Sequence, residues 1–152
     1  MNAFELLKAD HEKVSKIFDE LEPTTNRASK TRRELFTKLK NELDVHSQIE
    51  EQILYPALKD AEETHEITLE AFEEHHVVKQ LLKELEAMEV ESDEWTAKLK
   101  VLKENVEHHV EEEEDEMFKK ARQVLSSEQI EQLGTRLETA KQEKQKTLAA
   151  GG

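Results

Sequence analysis

Cysteine is absent from the 152 residues, which excludes disulfides, thiolate metal sites and cysteine nucleophiles. Glycine occurs 3 times and proline twice, too rarely for the frequent turns that sheets demand. Positive charge is outnumbered: 22 Lys and Arg stand against 36 Asp and Glu, a formal net charge of −14. Phosphate backbones and anionic headgroups are bound through a basic face, so neither nucleic acid nor a membrane is an expected partner. No apolar run approaches the ~18 residues of a membrane span, and the segment MNAFELLKADHEK lacks the apolar stretch of a secretory leader. A soluble, cytoplasmic protein is the expectation. A glycine-rich phosphate loop, a dinucleotide fingerprint and a Ser-His-Asp order are also missing, so kinase, nicotinamide and hydrolase readings find no support.

What the chain does contain is charge on helix formers. Charged residues make up 38% of it, the composition of long helices with solvated faces. The length suits one domain, residues 1–150, around a single core. A first helix is predicted from about Asn2 to Leu21, with Phe4, Leu7, Val14, Phe18 and Leu21 in steps of three and four, ended by the Pro23-Thr24-Thr25-Asn26 cluster. A second starts at Ser29 or Thr31, where Thr31 with Glu34 reads as a capping box, and runs to about Asp60, with Pro56 kinking it or ending it early. A third covers roughly His65 to Val90, and Ser92 caps a fourth that continues to about Leu125. Ser126 with Gln129 opens a shorter fifth helix over about 127–147, with Ile130, Leu133 and Leu137 on one stripe and a frayed Lys- and Gln-rich end. The predicted fold class is all-α: an up-down-up-down four-helix bundle with the fifth helix across one end or side.

The bundle is internally duplicated. DHEKVSKIFDELE from Asp10 matches EHHVVKQLLKELE from Glu74, pairing His11 with His75, Val14 with Val78 and Leu21 with Leu85 at an offset of 64. HSQIEEQILYPAL from His46 matches HVEEEEDEMFKKA from His109, pairing His46 with His109, Glu50 with Glu113 and Tyr55 with Phe118 at an offset of 63. Two helical hairpins, about 2–60 and 65–125, thus each keep one lone His and one His-x-x-x-Glu.

These polar residues interrupt the apolar seams. His11 stands between Leu7 and Val14; the second helix reads Leu35, Leu39, Leu43, His46, Glu50, Ile53, Ala57. The third reads Ala71, His75, Val78, Leu82, Leu85, and the fourth Trp95, Leu99, Leu102, Val106, His109, Glu113, Met117, Ala121, Val124. His75 and His109 both lie about 21 Å from the turn between their helices at ~1.5 Å per residue; helix 1 fits less well, by ~7 Å, which an asymmetric first loop would absorb, and the six groups are expected in one layer. Two buried carboxylates without compensation would cost several kcal/mol each. Spacing of i, i+4 puts both members of a His-x-x-x-Glu pair on one face, and glutamates can bridge two cations while imidazoles complete each sphere. Four nitrogens and two carboxylates without sulfur suit Fe, Mn or Zn. His76 and His108 sit one step off the seam without a counterpart in the other copy and are expected in solvent, as is His65. Glu112 and Glu114 to Glu116 read as a solvated acidic face, with outer contacts to His109 as an alternative. Tyr55 reads as a core aromatic, with a ligand role as the alternative.

The order and spacing of these residues resemble the hemerythrin-like, or HHE cation-binding, family of bacteria. The resemblance covers nearly the whole chain, through DHEKV, HSQIEEQILYP, EEHHVVKQLL and HHVEEEEDEMF on successive helices and the similar LSSEQIEQLGTRLETAK tail. It implies a four-helix bundle holding two non-haem irons, bridged by an oxo or hydroxo group and by the two glutamates, with His11, His46, Glu50, His75, His109 and Glu113 as ligands. One departure stands out: oxygen-carrying members have a further histidine one turn after the helix 3 ligand, where this chain has Lys79. Water, Tyr55 or a nearby Glu would fill that position. The resemblance therefore implies a di-iron protein that binds or reacts with O2, nitric oxide or hydrogen peroxide, with catalase-like peroxide removal as a consequence. An iron-dependent sensor or iron-storage module without catalysis is the alternative from the binding class. An acidic helical interaction protein is the alternative from the structural class, and the symmetric seam breaks speak against it.

Overall fold

In a computed structural model describing residues 1–151, the chain is all-helical, and no strand occurs among the described residues. The helices are α1 (Ala3–Leu21), α2 (Ser29–Ile49, continuing through a π-helical turn, Glu50–Leu54, into Tyr55–Leu58), α3 (Glu62–Glu86), α4 (Asp93–Glu112, a π-helical turn, Glu113–Met117, then Phe118–Val124) and α5 (Ser127–Gly151). The predicted up-down-up-down bundle is formed by α1 to α4, and α5 returns along α1 and α2. No described helix is long and apolar enough to cross a membrane.

Side-chain caps set three of the five helix starts. Asn2 is the N-cap of α1 and exchanges hydrogen bonds with Glu5 in a capping box, Ser92 caps α4 by accepting from Trp95 N–H, and Ser126 and Gln129 do for α5 what Asn2 and Glu5 do for α1. The Thr31–Glu34 box is not used, because α2 already begins at Ser29, after Ala28. α3 starts at Glu62 rather than His65. The short link from α2 brings the Thr64 hydroxyl onto Leu58 O (2.5 Å) and the His65 Nδ1–H onto Lys59 O (2.7 Å), so both residues cap the end of α2 from inside α3. α3 also ends at Glu86, short of Val90, whose carbonyl accepts from the buried Arg32 side chain (2.6 Å). Arg32 donates further to Thr24 O and lies over the Trp95 ring, tying the α1–α2 and α3–α4 links together at that end.

α5 is longer than expected, helical from Ser127 to Gly151. Ile130, Leu133 and Leu137 are buried against Phe4 and Leu7, and beyond Gly134 the sequence holds strong helix formers without a breaker. Gly134 lets the helix press on the start of the chain, since a Cβ there would lie 2.5 Å from Met1 O.

The seams hold with one shift of register. Ala57 is exposed, and Leu58 is buried in its place. A π-helical turn accommodates one residue more than an α turn, so positions after Glu50–Leu54 advance by one. The irregularity was expected from Pro56, and α2 does end two residues past it. Yet α4 has the same turn with Lys119 at the matching position. The duplicated site, not the proline, is the common factor.

The apolar interior is split into two clusters. One gathers Phe4, Leu7, Ile49, Leu54, Tyr55, Leu58, Phe118 and the α5 stripe; the other gathers Val14, Phe18, Leu39, Leu43, Val78, Trp95, Leu102 and Val106. A polar layer separates them.

Candidate metal centre

All six predicted residues lie in that layer and are buried. His11, His46, Glu50 and Glu113 form one group, and Glu50, His75, His109 and Glu113 a second; within each group one donor atom per residue lies within 4.8 Å of the others. The two glutamates are shared by both. The imidazoles face inward through Nε2: His11 reaches Glu113 Oε1 at 3.2 Å, His46 and His75 reach Glu50 Oε1 at 3.1 Å, and His109 reaches Glu113 Oε2 at 3.3 Å. His11 meets His46 edge-on, and His75 meets His109 likewise, with ring centroids 4.9 and 4.8 Å apart.

The outward Nδ1 of each ring is held by a further carboxylate. His11 pairs with Glu114 (2.6 Å), His46 with Asp10 (3.0 Å), His75 with Glu51 (2.9 Å) and His109 with Glu74 (2.7 Å). A carboxylate accepting from Nδ1–H fixes the tautomer that leaves a lone pair on Nε2 and makes that nitrogen more basic. Asp10, Glu51 and Glu74 were not legible as site residues. Glu114 was expected on a solvated face or beside His109, but it serves His11, and Glu74 serves His109. The signal was adjacency, because each outer carboxylate neighbours an inner residue in sequence: Asp10-His11, Glu50-Glu51, Glu74-His75, Glu113-Glu114. Asp10 and Glu74 are 64 apart and Glu51 and Glu114 are 63 apart, so the outer set obeys the same duplication.

Tyr55 enters the layer from the Phe4 side, fully buried. Its hydroxyl donates to Glu113 Oε2 (2.6 Å) and lies 3.2 Å from both Glu50 Oε1 and His75 Nε2. Tyr55 N–H bonds to Glu50 O, and in the second copy Phe118 N–H bonds to Glu113 O, so each π turn sets its glutamate and the following aromatic together. Phe118 instead stacks on Phe4 at 4.5 Å. His65, His76 and His108 are exposed, as is Lys79; His108 joins only a surface group with Glu74 and Glu112.

The electrostatics of the layer favour positive charge. Burial alone would lower His46, but Glu50 and Asp10 raise it well above the usual 6.5. Burial opposes His109 too, and Glu113 and Glu74 push it up to about 10. Burial would raise Glu113, yet its contacts with Glu50, His109 and His11 hold it well below the ordinary carboxylate range. For Asp10 burial is likewise overcome, by His46 and Lys141. Burial, reinforced by Glu113 and Glu50, drives the Tyr55 phenol far up, so it keeps its proton. Even so, among the described residues His11 Nε2, His46 Nε2, Glu50 Oε2 and Glu113 Oε1 make no hydrogen bond: the imidazole nitrogens come close to a glutamate oxygen without hydrogen-bonding geometry. Buried groups left this way are costly. A cation between them would satisfy all four atoms, and the nitrogen and carboxylate donors fit Fe, Mn or Zn.

The family model "Hemerythrin HHE cation binding domain" matches residues 2–121. A relative described as a DNA nickase, from Nostoc sp., is 31% identical over 148 residues, which cover 97% of this chain and 41% of that protein. The chain therefore spans well under half of that relative. A crystal structure of a hemerythrin HHE cation binding domain-containing protein from Mycobacterium kansasii superposes with a TM-score of 0.86 at 26% identity, covering 97% of this chain and 89% of that one.

Proposed function

The chain belongs to the hemerythrin HHE cation-binding family, and on that premise we propose that it holds two irons and reacts with a small diatomic molecule or hydrogen peroxide. The observation that carries this reading is the pair of four-donor groups sharing Glu50 and Glu113, with every imidazole Nε2 turned inward by an outer carboxylate. His11 and His46 would hold one ion, His75 and His109 the other, with the glutamates common to both and Tyr55 as a further ligand. Two irons there would supply two electrons and Lewis acidity to the small molecule.

The residues around the layer decide what can approach. On the side away from Tyr55, a cavity of about 20 Å³ is bounded by the four imidazoles, by Val14, Leu43, Val78, Val106 and Val110, and by Ser47. A cavity needs roughly 10–15 Å³ to admit a single water, so this one suits a molecule of one or two heavy atoms. On the other side the Tyr55 hydroxyl keeps a proton within reach of both glutamates. Lys79 replaces the additional histidine of the oxygen carriers and points to solvent, which leaves that half of the site with one nitrogen fewer. That supports turnover of peroxide over reversible storage of O2. The nicking of DNA does not carry across to this reading: a net charge of −14 and a cavity of this size offer no path for a strand.

Metal analysis and peroxide consumption test the proposal. The iron-loaded protein should contain two irons per chain and consume hydrogen peroxide faster than the same amount of free iron, and His109→Ala should lose both properties. Reversible uptake of O2 lasting many minutes in air would place the chain with the carriers. Two bound irons without any reaction toward O2, nitric oxide or peroxide would favour the sensor or storage reading instead.

A further inference from the structure

Three of the four carboxylates behind the histidines are wetted, and one is not. The side chains of Glu114, Glu51 and Glu74 are 29%, 40% and 25% exposed, whereas Asp10 is 3% exposed. α5 covers Asp10 and supplies a cation of its own: Lys141 Nζ donates to Asp10 Oδ1 while Asp10 Oδ2 accepts from His46 Nδ1–H at 3.0 Å. Among the described residues, no lysine or arginine lies within ion-pair distance of the other three carboxylates; Lys79 acts on Glu51 only from farther away. The register that brings Lys141 there is built in. Gly134 seats α5 against Met1–Ala3, Leu137 packs beside Phe4 and Leu7, and two helical turns beyond Gly134, ~10 Å, the lysine arrives beside Asp10.

The geometry points to Lys141 as a positioning residue for the metal pair, an inference that rests on the two-cation reading above. Both oxygens of Asp10 are committed, one to Lys141 and one to His46, so the lysine fixes the carboxylate and the carboxylate fixes the imidazole plane and the Nδ1–H tautomer. The cation held by His11, His46 and the two glutamates then depends on α5, whereas the one held by His75 and His109 does not. Lys141 itself lies outside the segment matched by the family model, which stops at residue 121.

Metal-free wild type, Lys141→Met, Lys141→Arg and, as a control on the exposed end of α5, Lys146→Met would be titrated with Co2+ and followed by calorimetry and visible absorption. Loss of an outer partner costs 10–100-fold in metal affinity, so Lys141→Met should weaken one of two binding steps by about tenfold or more and leave the other in place. Lys141→Arg and Lys146→Met should match wild type. A metal-free readout separates this inference from the reading beneath it. The downfield, slowly exchanging His46 Nδ1 proton should be visible by NMR in wild type and Lys141→Arg and absent in Lys141→Met, while the His109 Nδ1 proton persists in all. Should α5 amides lose their exchange protection in Lys141→Met, Lys141→Gln takes its place with the same expectation. Unchanged Co2+ affinities together with a persistent His46 proton would overturn the proposal, as would equal weakening of both steps. A wild type that binds a single ion would refute the two-cation reading, and the His46 proton would then decide the role of Lys141.

Discussion

Replacing Tyr55 by Phe deletes one oxygen from the centre of the polar layer and leaves the ring's shape intact. That oxygen donates to Glu113 Oε2 at 2.6 Å and lies 3.2 Å from Glu50 Oε1, in a side chain with no exposure. Its proton is secure, because burial and then Glu113 hold the phenol well above its usual pKa. A hydrogen bond to a charged partner contributes about 1.5–3 kcal/mol. For a domain near 150 residues each kcal/mol moves the melting temperature by roughly 2–4 °C. The metal-free Tyr55→Phe protein should therefore melt about 3–12 °C below metal-free wild type. With iron bound, the cations take over the charge of both glutamates, so the gap should narrow unless the phenol is itself a ligand. If it is, the ferric wild type should show a visible phenolate-to-iron charge-transfer band that the variant lacks. Scanning calorimetry in chelator and an absorption spectrum of the ferric proteins decide the matter. Identical metal-free melting temperatures would refute the hydrogen-bonding argument, and an unchanged visible spectrum would remove Tyr55 from the ligand set.

Glu50→Ala and Glu113→Ala should each lose most bound metal, because each glutamate belongs to both donor groups, whereas His76→Ala and His108→Ala should keep it; metal content of the purified variants is the measure, and loss in His108→Ala with retention in His109→Ala would mean the register of α4 is wrong. Removing metal should lower the melting temperature, since four buried polar atoms then go unpartnered; coincident curves with and without chelator would contradict this. The metal-free protein should also lose stability as pH rises. His46 and His75 are raised and His109 stands at about 10 against 6.5, so their contribution is complete below 6.5 and fades toward 10. Glu113, held below its usual 4.5, contributes above that pH and loses its contribution on acidification. Metal competes with those protons, so the stabilisation conferred by metal should grow over the same rise in pH; melting curves equal at pH 6.5 and 9.5 in chelator would refute the sign.

The bundle and the six inner residues were legible because both rest on periodicity. Apolar steps of three and four place the helices, and a polar residue at a seam position must be compensated wherever it is buried. The seam rule failed after Glu50, where a π turn buried Leu58 in place of Ala57, because an inserted residue leaves no trace in a count that assumes 3.6 per turn. It could not find Asp10, Glu51 and Glu74 either. These sit at the edge of the core, where a carboxylate on a helix reads as solvated, and only the position of an imidazole on a neighbouring helix distinguishes them. Arg32 was missed for the same kind of reason: its partners Thr24 O and Val90 O lie on links that sequence patterns do not bring together. The length of α5 was underestimated because its last turns are exposed and carry no seam to count.

Duplication would by itself give two equivalent cation positions, since the inner six residues and the outer four carboxylates all recur at offsets of 63 or 64. The structure breaks that equivalence twice, on different sides. Tyr55 brings a phenol into the layer from the Phe4 cluster, where its counterpart Phe118 stacks away on Phe4, and its hydroxyl lies nearer the His75 and His109 half. Lys141 neutralises the outer carboxylate of the His11 and His46 half. One half thus gains a donor inside the layer, and the other gains a cation outside it. Lys141 draws charge from the carboxylate behind His46, and Tyr55 sets a hydroxyl beside His75 and His109, so the two halves are chemically unlike. On the two-cation reading, a molecule in the cavity bounded by the four imidazoles would meet two unlike surroundings.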